Sequence, residues 1–299
     1  MPKSSGKPSE PLRANGLARS SLVAAGLLWG AAPVATRFLS HNDSAAVLLG
    51  YRFVPSAAII GLYLLLTRRG IGFGGWTWPR AVALSVIGGL GYNGLVTLAL
   101  VVSPATIVGI ALTTEPLWIL IFEALRGERV FSPSLIGGIL LAGSGTVLAT
   151  GGSPGSGPRV VLGVVLAIAG TACWAVYAVY TSRWSASTSD KTSLLVLSCL
   201  PPVLLGLLFD NRGSSLPRSG SVWLAVAAIS LGSTVLAMAG WNFGAHRLGA
   251  KLAAPFLYLQ PAATIFLSAI LLHERPSPLE LIGLAVILAG LAITQYQRA

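Results

Sequence analysis

The chain of 299 residues is 54% apolar and carries 35 glycines, while Asp, Glu, Lys and Arg together make up only 10%. A soluble domain holds about 25% charged residues, so this chain cannot coat a water-facing surface, and an ordinary cytosolic enzyme is excluded. The net charge of +11 lies in small groups between long uncharged runs, without the basic stripe that nucleic acid requires. Cys173 and Cys199 both sit inside apolar runs, which leaves neither a disulfide framework nor a thiolate metal site, and no cofactor or metal is expected.

In chain order, residues 1–16 read as a flexible polar arm with Lys3, Lys7 and Arg13. Ten apolar runs follow, at about 17–39, 44–66, 81–102, 104–125, 133–150, 160–182, 191–209, 221–245, 250–272 and 279–296. About 20 residues are needed to cross the hydrocarbon layer as a helix, the one open-chain form that satisfies its own backbone there. The expected fold is therefore all-α and polytopic. The first run is too long for a signal-peptide core and has no small-residue cleavage site after it. Asp43 or Ser44 can cap the second helix, and Ser132-Pro133 and Ser277-Pro278 read as N-cap followed by N1 proline. With the amino terminus in the cytosol, 14 of the 20 Lys and Arg fall inside, which supports two cytosolic termini and an even number of spans. Trp76, Trp78, Trp184 and Trp223 lie near run ends, where an aromatic belt is expected.

The two halves resemble one another at a spacing near 145. Glu115-Pro116 and Gln260-Pro261, Ser132-Pro133 and Ser277-Pro278, and Trp29 and Trp174 are each separated by 145. Gly127-Glu128-Arg129 matches His273-Glu274-Arg275 with a one-residue slip. Five spans per copy is odd, so the copies must lie in opposite orientations, a construction shared with many secondary transporters. The expected organisation is a first repeat over 17–150, a junction over 151–159 and an inverted second repeat over 160–299. Such a pair can open a central site alternately to either side.

These residues resemble the drug/metabolite transporter superfamily, EamA-type branch: the Trp within helix one, Arg52-Phe53 on helix two, the Glu-Pro and Gln-Pro steps of helices four and nine, and the Gly-Glu-Arg and His-Glu-Arg turns before Ser-Pro. The resemblance covers about residues 17–296, and among its members the bacterial aromatic amino-acid exporters are most similar. It implies ten helices, alternating access and a cavity lined by helices 1, 3, 4, 6, 8 and 9 in a bacterial inner membrane. Gln260 departs from the family, which often has Glu at that step.

Side chains for the cavity follow from helical spacing. Trp29, Pro33 and Thr36 share one face of the first helix, and Trp174, Tyr177 and Thr181 one face of the sixth. Tyr92-Asn93 and Trp241-Asn242 form corresponding aromatic–Asn pairs; Thr114, Glu115 and Trp118 come from the fourth helix, and Tyr258, Gln260 and Thr264 from the ninth. Aromatic walls with a few polar groups suit an amphipathic small molecule. Any one ring is better explained by packing, and only the paired occurrence in both halves singles out the group. Glu115 is the single carboxylate near the middle of a run; a charge there costs about 2.5–3.5 kcal/mol on insertion scales unless neutralised. Arg52 is its expected partner and Arg37 the second choice. That pair reads either as a structural ion pair or as a proton-coupling or substrate-amine site. Pro33, Pro116 and Pro261 are expected to break their helices and free carbonyls.

Gly151-Gly152-Ser153-Pro154-Gly155 matches a nucleophile elbow in form but lacks a strand before it, and Gly70-Ile71-Gly72-Phe73-Gly74-Gly75 matches a dinucleotide fingerprint outside any βαβ unit. His41, His246 and His273 lie at different run ends and offer no metal site. The leading expectation is a secondary exporter of aromatic or neutral amino acids or related metabolites. Its alternatives are an exporter of drugs, nucleosides or other amphipathic metabolites, and, in other classes, an intramembrane enzyme or a membrane scaffold subunit. The expected partners are a small-molecule substrate and the bilayer, with proton coupling and the choice of monomer or homodimer left open.

Overall fold

The computed structural model describes residues 10–68, 70–127, 132–151, 157–182, 184, 187–209, 219–248, 256–257 and 259–296. Every regular element among them is helical. We number α1 as Glu10–Ser40, α2 as Ala45–Leu66, α3 as Trp78–Val102, α4 as Ala105–Leu125, α5 as Pro133–Gly151, α6 as Pro158–Ser182 and α7 as Thr188–Phe209. The continuous stretch Gly220–Ala227, Ala228–Leu236 and Ala237–Leu248 is α8, Leu259–Leu271 is α9 and Pro278–Tyr296 is α10. Among the described residues, six stretches are long and apolar enough to cross a membrane: Gly16–Ser40, Ala45–Leu66, Trp78–Val102, Ala105–Leu125, Pro158–Thr181 and Gly220–Ala245. Ile136–Gly151, Leu259–Leu271 and Pro278–Ile293 are shorter apolar helices.

Helix ends follow the local sequence. Ser44 accepts from the Val47 amide at 3.4 Å and caps α2. Ser277 and Glu280 form a reciprocal capping box, Ser277 N donating to Glu280 Oε2 at 2.8 Å and Glu280 N to Ser277 Oγ at 3.2 Å. Pro133 and Pro278 open their helices as expected. Of the expected polar arm, residues 1–9 lie outside the described residues, and α1 begins at Glu10. Pro11 falls in the first turn, where its missing N–H has no partner to lose.

Two features were absent from the periodicity. Val86–Tyr92 in α3 and Ala228–Leu236 in α8 are π-helical. The wider turn disturbs the regular ladder, and polar side chains occupy the freed carbonyls: Asn93 Nδ2 donates to Gly89 O at 2.9 Å, and Thr234 Oγ1 to Ile229 O at 3.0 Å.

Packing pairs the segments crosswise. α1 lies against α8 and α9, α6 against α3 and α4, α2 against α7, and α5 against α10. At the α5–α10 crossing a Cβ on Gly145 would stand 2.7 Å from Gly283 O, so the two backbones touch and glycine is required there. Buried Ala99, Val108 and Ala167 centre one core among α3, α4 and α6; Ala32, Leu48 and Ile229 centre another among α1, α2 and α8. Gly127 and His273, matched in the sequence comparison, both adopt positive φ, +72° and +56°. The two turns after α4 and α9 thus share a left-handed step.

Candidate central binding site

The site grows out of the break in α4. The α-helical ladder tightens at Thr113 and Thr114, whose amides bond three residues back to Ile110 O and Ala111 O and whose hydroxyls donate to the same carbonyls at 2.6 Å and 2.7 Å. A new helix starts at Glu115, with Pro116 in its first turn, where the ring is tolerated. Before the break α4 packs on both α6 and α9; after it α4 follows α6. The resulting gap holds a cavity of about 30 Å³ lined by Leu112, Thr113, Glu115, Pro116, Leu257, Gln260 and Pro261. The two Pro-flanked polar side chains, Glu115 and Gln260, therefore meet across one gap. Thr114 Oγ1 also lies 3.3 Å from Thr171 Oγ1 of α6, which ties the break to that helix.

Two ring clusters flank this point. Tyr92 and Trp174 have centroids 5.2 Å apart at 43°, and Trp174 stacks on Tyr177 at 5.4 Å. Trp29 and Trp241 stand 5.5 Å apart at 47°. The α3–α6 and α8–α1 pairs are thus nearly the same contact made twice. Trp174 reaches the Glu115 carboxylate, and the Tyr92 hydroxyl reaches Gln260. Trp118 stacks on Phe122 at 6.1 Å along α4. Trp29 is oriented by its indole, which donates to Ser233 O at 3.1 Å.

Several expected roles change. Arg52 does not reach for Glu115; its Nε donates to Thr234 Oγ1 at 3.1 Å and its Nη2 to Ser233 Oγ at 3.2 Å, because the π turn of α8 presents both hydroxyls to α2. Arg37, the second choice, pairs elsewhere, with Glu274. Asn93 is buried and turned onto its own helix, whereas Asn242 is exposed on the outside of α8; the aromatic members of the two aromatic–Asn pairs correspond, and the amides do not. Thr36 and Pro33 are buried within α1, which runs unbroken through Pro33. Pro261 lies in the first turn of α9 and does not interrupt it. Tyr258 falls outside the described residues.

One polar cluster was missed by the sequence reading. Glu274, after α9, accepts from Ala105 N at 3.1 Å, Thr106 N at 3.0 Å and Thr106 Oγ1 at 3.0 Å. It thereby caps α4 as an anion at a helix N-terminus. Arg37 Nε lies 3.9 Å from Glu274 Oε1, and Arg37 Nη1 donates to Leu100 O at 2.9 Å and Val101 O at 3.0 Å. This lock joins α1, α3, α4 and the α9–α10 turn. Its signal was present: Arg37 and Arg183 are separated by 146, as are Glu128 and Glu274.

Long apolar helices packed around a polar break define a multi-pass membrane protein. The sequence pattern of the EamA-like transporter family matches residues 18–151 and 161–296, and the chain belongs to that family. It is thus a membrane transporter, multi-pass in the bacterial inner membrane. It is 31% identical over 231 residues to the aromatic amino acid exporter YddG of Ancylobacter novellus, covering 75% of this chain and 79% of that protein. It is 25% identical over 283 residues to the uncharacterized inner membrane transporter YedA of Escherichia coli K12, covering 91% and 89%. A solved crystal structure of a protein aligns over 95% of this chain and 96% of its own, with a TM-score of 0.65 and 24% identity, and shares the fold.

Proposed function

We propose that the chain is a secondary exporter of aromatic or neutral amino acids. In this reading the helices form ten spans, two inverted five-helix units with both termini cytosolic, and the substrate binds at the α4 break. The observation that carries it is the meeting of Glu115 and Gln260 across one gap, with Trp174 and Tyr92 of the neighbouring ring cluster approaching them. A carboxylate suits the substrate ammonium, the amide and hydroxyl suit its carboxylate, and the rings suit its side chain. The matching ring pairs on α3–α6 and α1–α8, the paired π turns and the crosswise helix packing support the inverted arrangement.

At about 30 Å³ the gap is too small for such a solute, since ligand pockets usually measure roughly 300–1,000 Å³. Loading requires the stacked rings to part, which links binding to movement of α4 and α6. The test is counterflow in proteoliposomes with labelled amino acids, nucleosides and cationic drugs. Phenylalanine, tryptophan or a neutral amino acid should exchange, and Glu115→Gln should lower kcat/KM at least tenfold, or about 1.4 kcal/mol of transition-state stabilisation. Flux confined to nucleosides or drugs would replace the substrate assignment.

A further inference from the structure

A second crevice lies at the opposite end of α4 from the Glu274 lock. Its cavity is about 180 Å³, between the start of α3 and the ends of α4 and α6, with Gly74 and Trp76 from the connection before α3. Trp76 and Trp184 stack at 4.2 Å and 17°, and Trp184 Nε1 donates to Gly74 O at 3.2 Å. These contacts fix a flat apolar wall. Two guanidinium groups converge on one ring beside it: Arg80 Cζ lies 5.6 Å and Arg126 Cζ 4.9 Å from the Tyr180 centroid, with Arg80 also 4.6 Å from Trp76. Val179 of α6 completes the lining.

Its position relates it to the central site. Glu115, Trp118, Phe122 and Arg126 follow one another by three, four and four residues, so they share one face of α4. Eleven residues separate Glu115 from Arg126, about 16 Å at helical rise. The stacked Trp118 and Phe122 fill that interval. The crevice is the mouth of the face that leads to the break.

We propose that this mouth is an anion subsite that holds the carboxylate of an aromatic acid between Arg80 and Arg126, with the ring of the acid on the Trp76–Trp184 wall, before it passes along α4. Guanidinium forks match a planar carboxylate, and indole faces take a planar apolar body. The inference rests on the amino-acid reading for the passage that follows, though the subsite itself needs only the anion and the ring.

The test compares the wild type with the double variant Arg80→Gln, Arg126→Gln in phosphatidylcholine vesicles, using phenylalanine and phenylalaninamide. KM for phenylalanine should rise about tenfold, with a much smaller change in kcat, while the amide, which lacks the carboxylate, should be affected less than twofold. An unchanged KM, or equal loss for acid and amide, would overturn the subsite. If neither solute moves through the wild type, the amino-acid reading fails, and calorimetry with indole-3-acetate decides the subsite alone. Binding weakened tenfold by the double variant upholds it; absent binding, or equal binding to both proteins, overturns it. Arg126→Lys, which keeps charge but not the fork, should give an intermediate loss. A defect that appears only when phosphatidylglycerol is added would assign the guanidiniums to lipid phosphate and overturn the proposal.

Discussion

The two ends of the bundle are closed by different chemistry. At one end Glu274 caps α4 and draws Arg37 against the carbonyls of Leu100 and Val101, so α1, α3, α4 and the α9–α10 turn are fastened by directional bonds. At the other end the Trp76 and Trp184 rings stack and Arg80 and Arg126 lie over the Tyr180 ring, around a crevice of about 180 Å³. Charge held by hydrogen bonds fixes one arrangement, because leaving any partner unmade is costly. Flat stacked rings tolerate sliding. The contrast teaches that directional hydrogen bonds hold the Glu274 end together, while stacked rings wall the crevice at the Arg126 end.

The largest way to break the contrast is Glu274→Ala. It removes three charge-assisted hydrogen bonds and leaves Arg37 without its counter-charge, an expected loss of about 3 kcal/mol. Denaturation in detergent should show an earlier midpoint, and thiol labelling of Ser103→Cys, with Cys173 and Cys199 replaced, should speed up. Unaltered labelling would mean that the lock does not hold this end shut. Next, Arg37→Lys retains the charge but has one nitrogen in place of the two by which Arg37 serves the Leu100 and Val101 carbonyls through Nη1 and faces Glu274 through Nε, and about 1–2 kcal/mol should be lost in the same denaturation experiment. At the open end, Trp184→Phe deletes one indole hydrogen bond while keeping a ring in the stack; about 1 kcal/mol is expected. Equal effects of Trp184→Phe and Glu274→Ala would erase the difference between the ends.

The smallest effect on stability should come from Glu128→Gln, the repeat mate of the Glu274 position, at about 0.5 kcal/mol or less. Its informative readout is directional. If inverted copies exchange locks, Glu128→Gln should slow labelling at Ser103→Cys, opposite to Glu274→Ala, because the competing conformation loses its own carboxylate.

Much of the architecture was legible because membrane helices announce themselves by length and apolarity. The starts of α2, α5 and α10 followed from Ser44, Pro133 and Pro278, whose chemistry is local. Of the residues named for the site, Glu115 and Gln260 line one gap, and Tyr92, Trp174 and Tyr177 form one ring cluster. Arg52 was misassigned because its partners, Ser233 and Thr234, face α2 only through a π turn that hydropathy does not register. Asn93 and Asn242 looked alike as neighbours of aromatic residues, yet one satisfies π-turn carbonyls and the other points outward.

By itself the sequence determined that the chain lives in a membrane, is helical and carries two related halves, since apolar length, backbone self-satisfaction and residue spacing are properties of the chain alone. Which carboxylate meets which arginine, where the helices widen and which end is fastened were decided only by tertiary structure. Those outcomes depend on the relative rotation and depth of separate helices, and a turn of one residue carries a side chain through about 100°, from a partner to open surroundings.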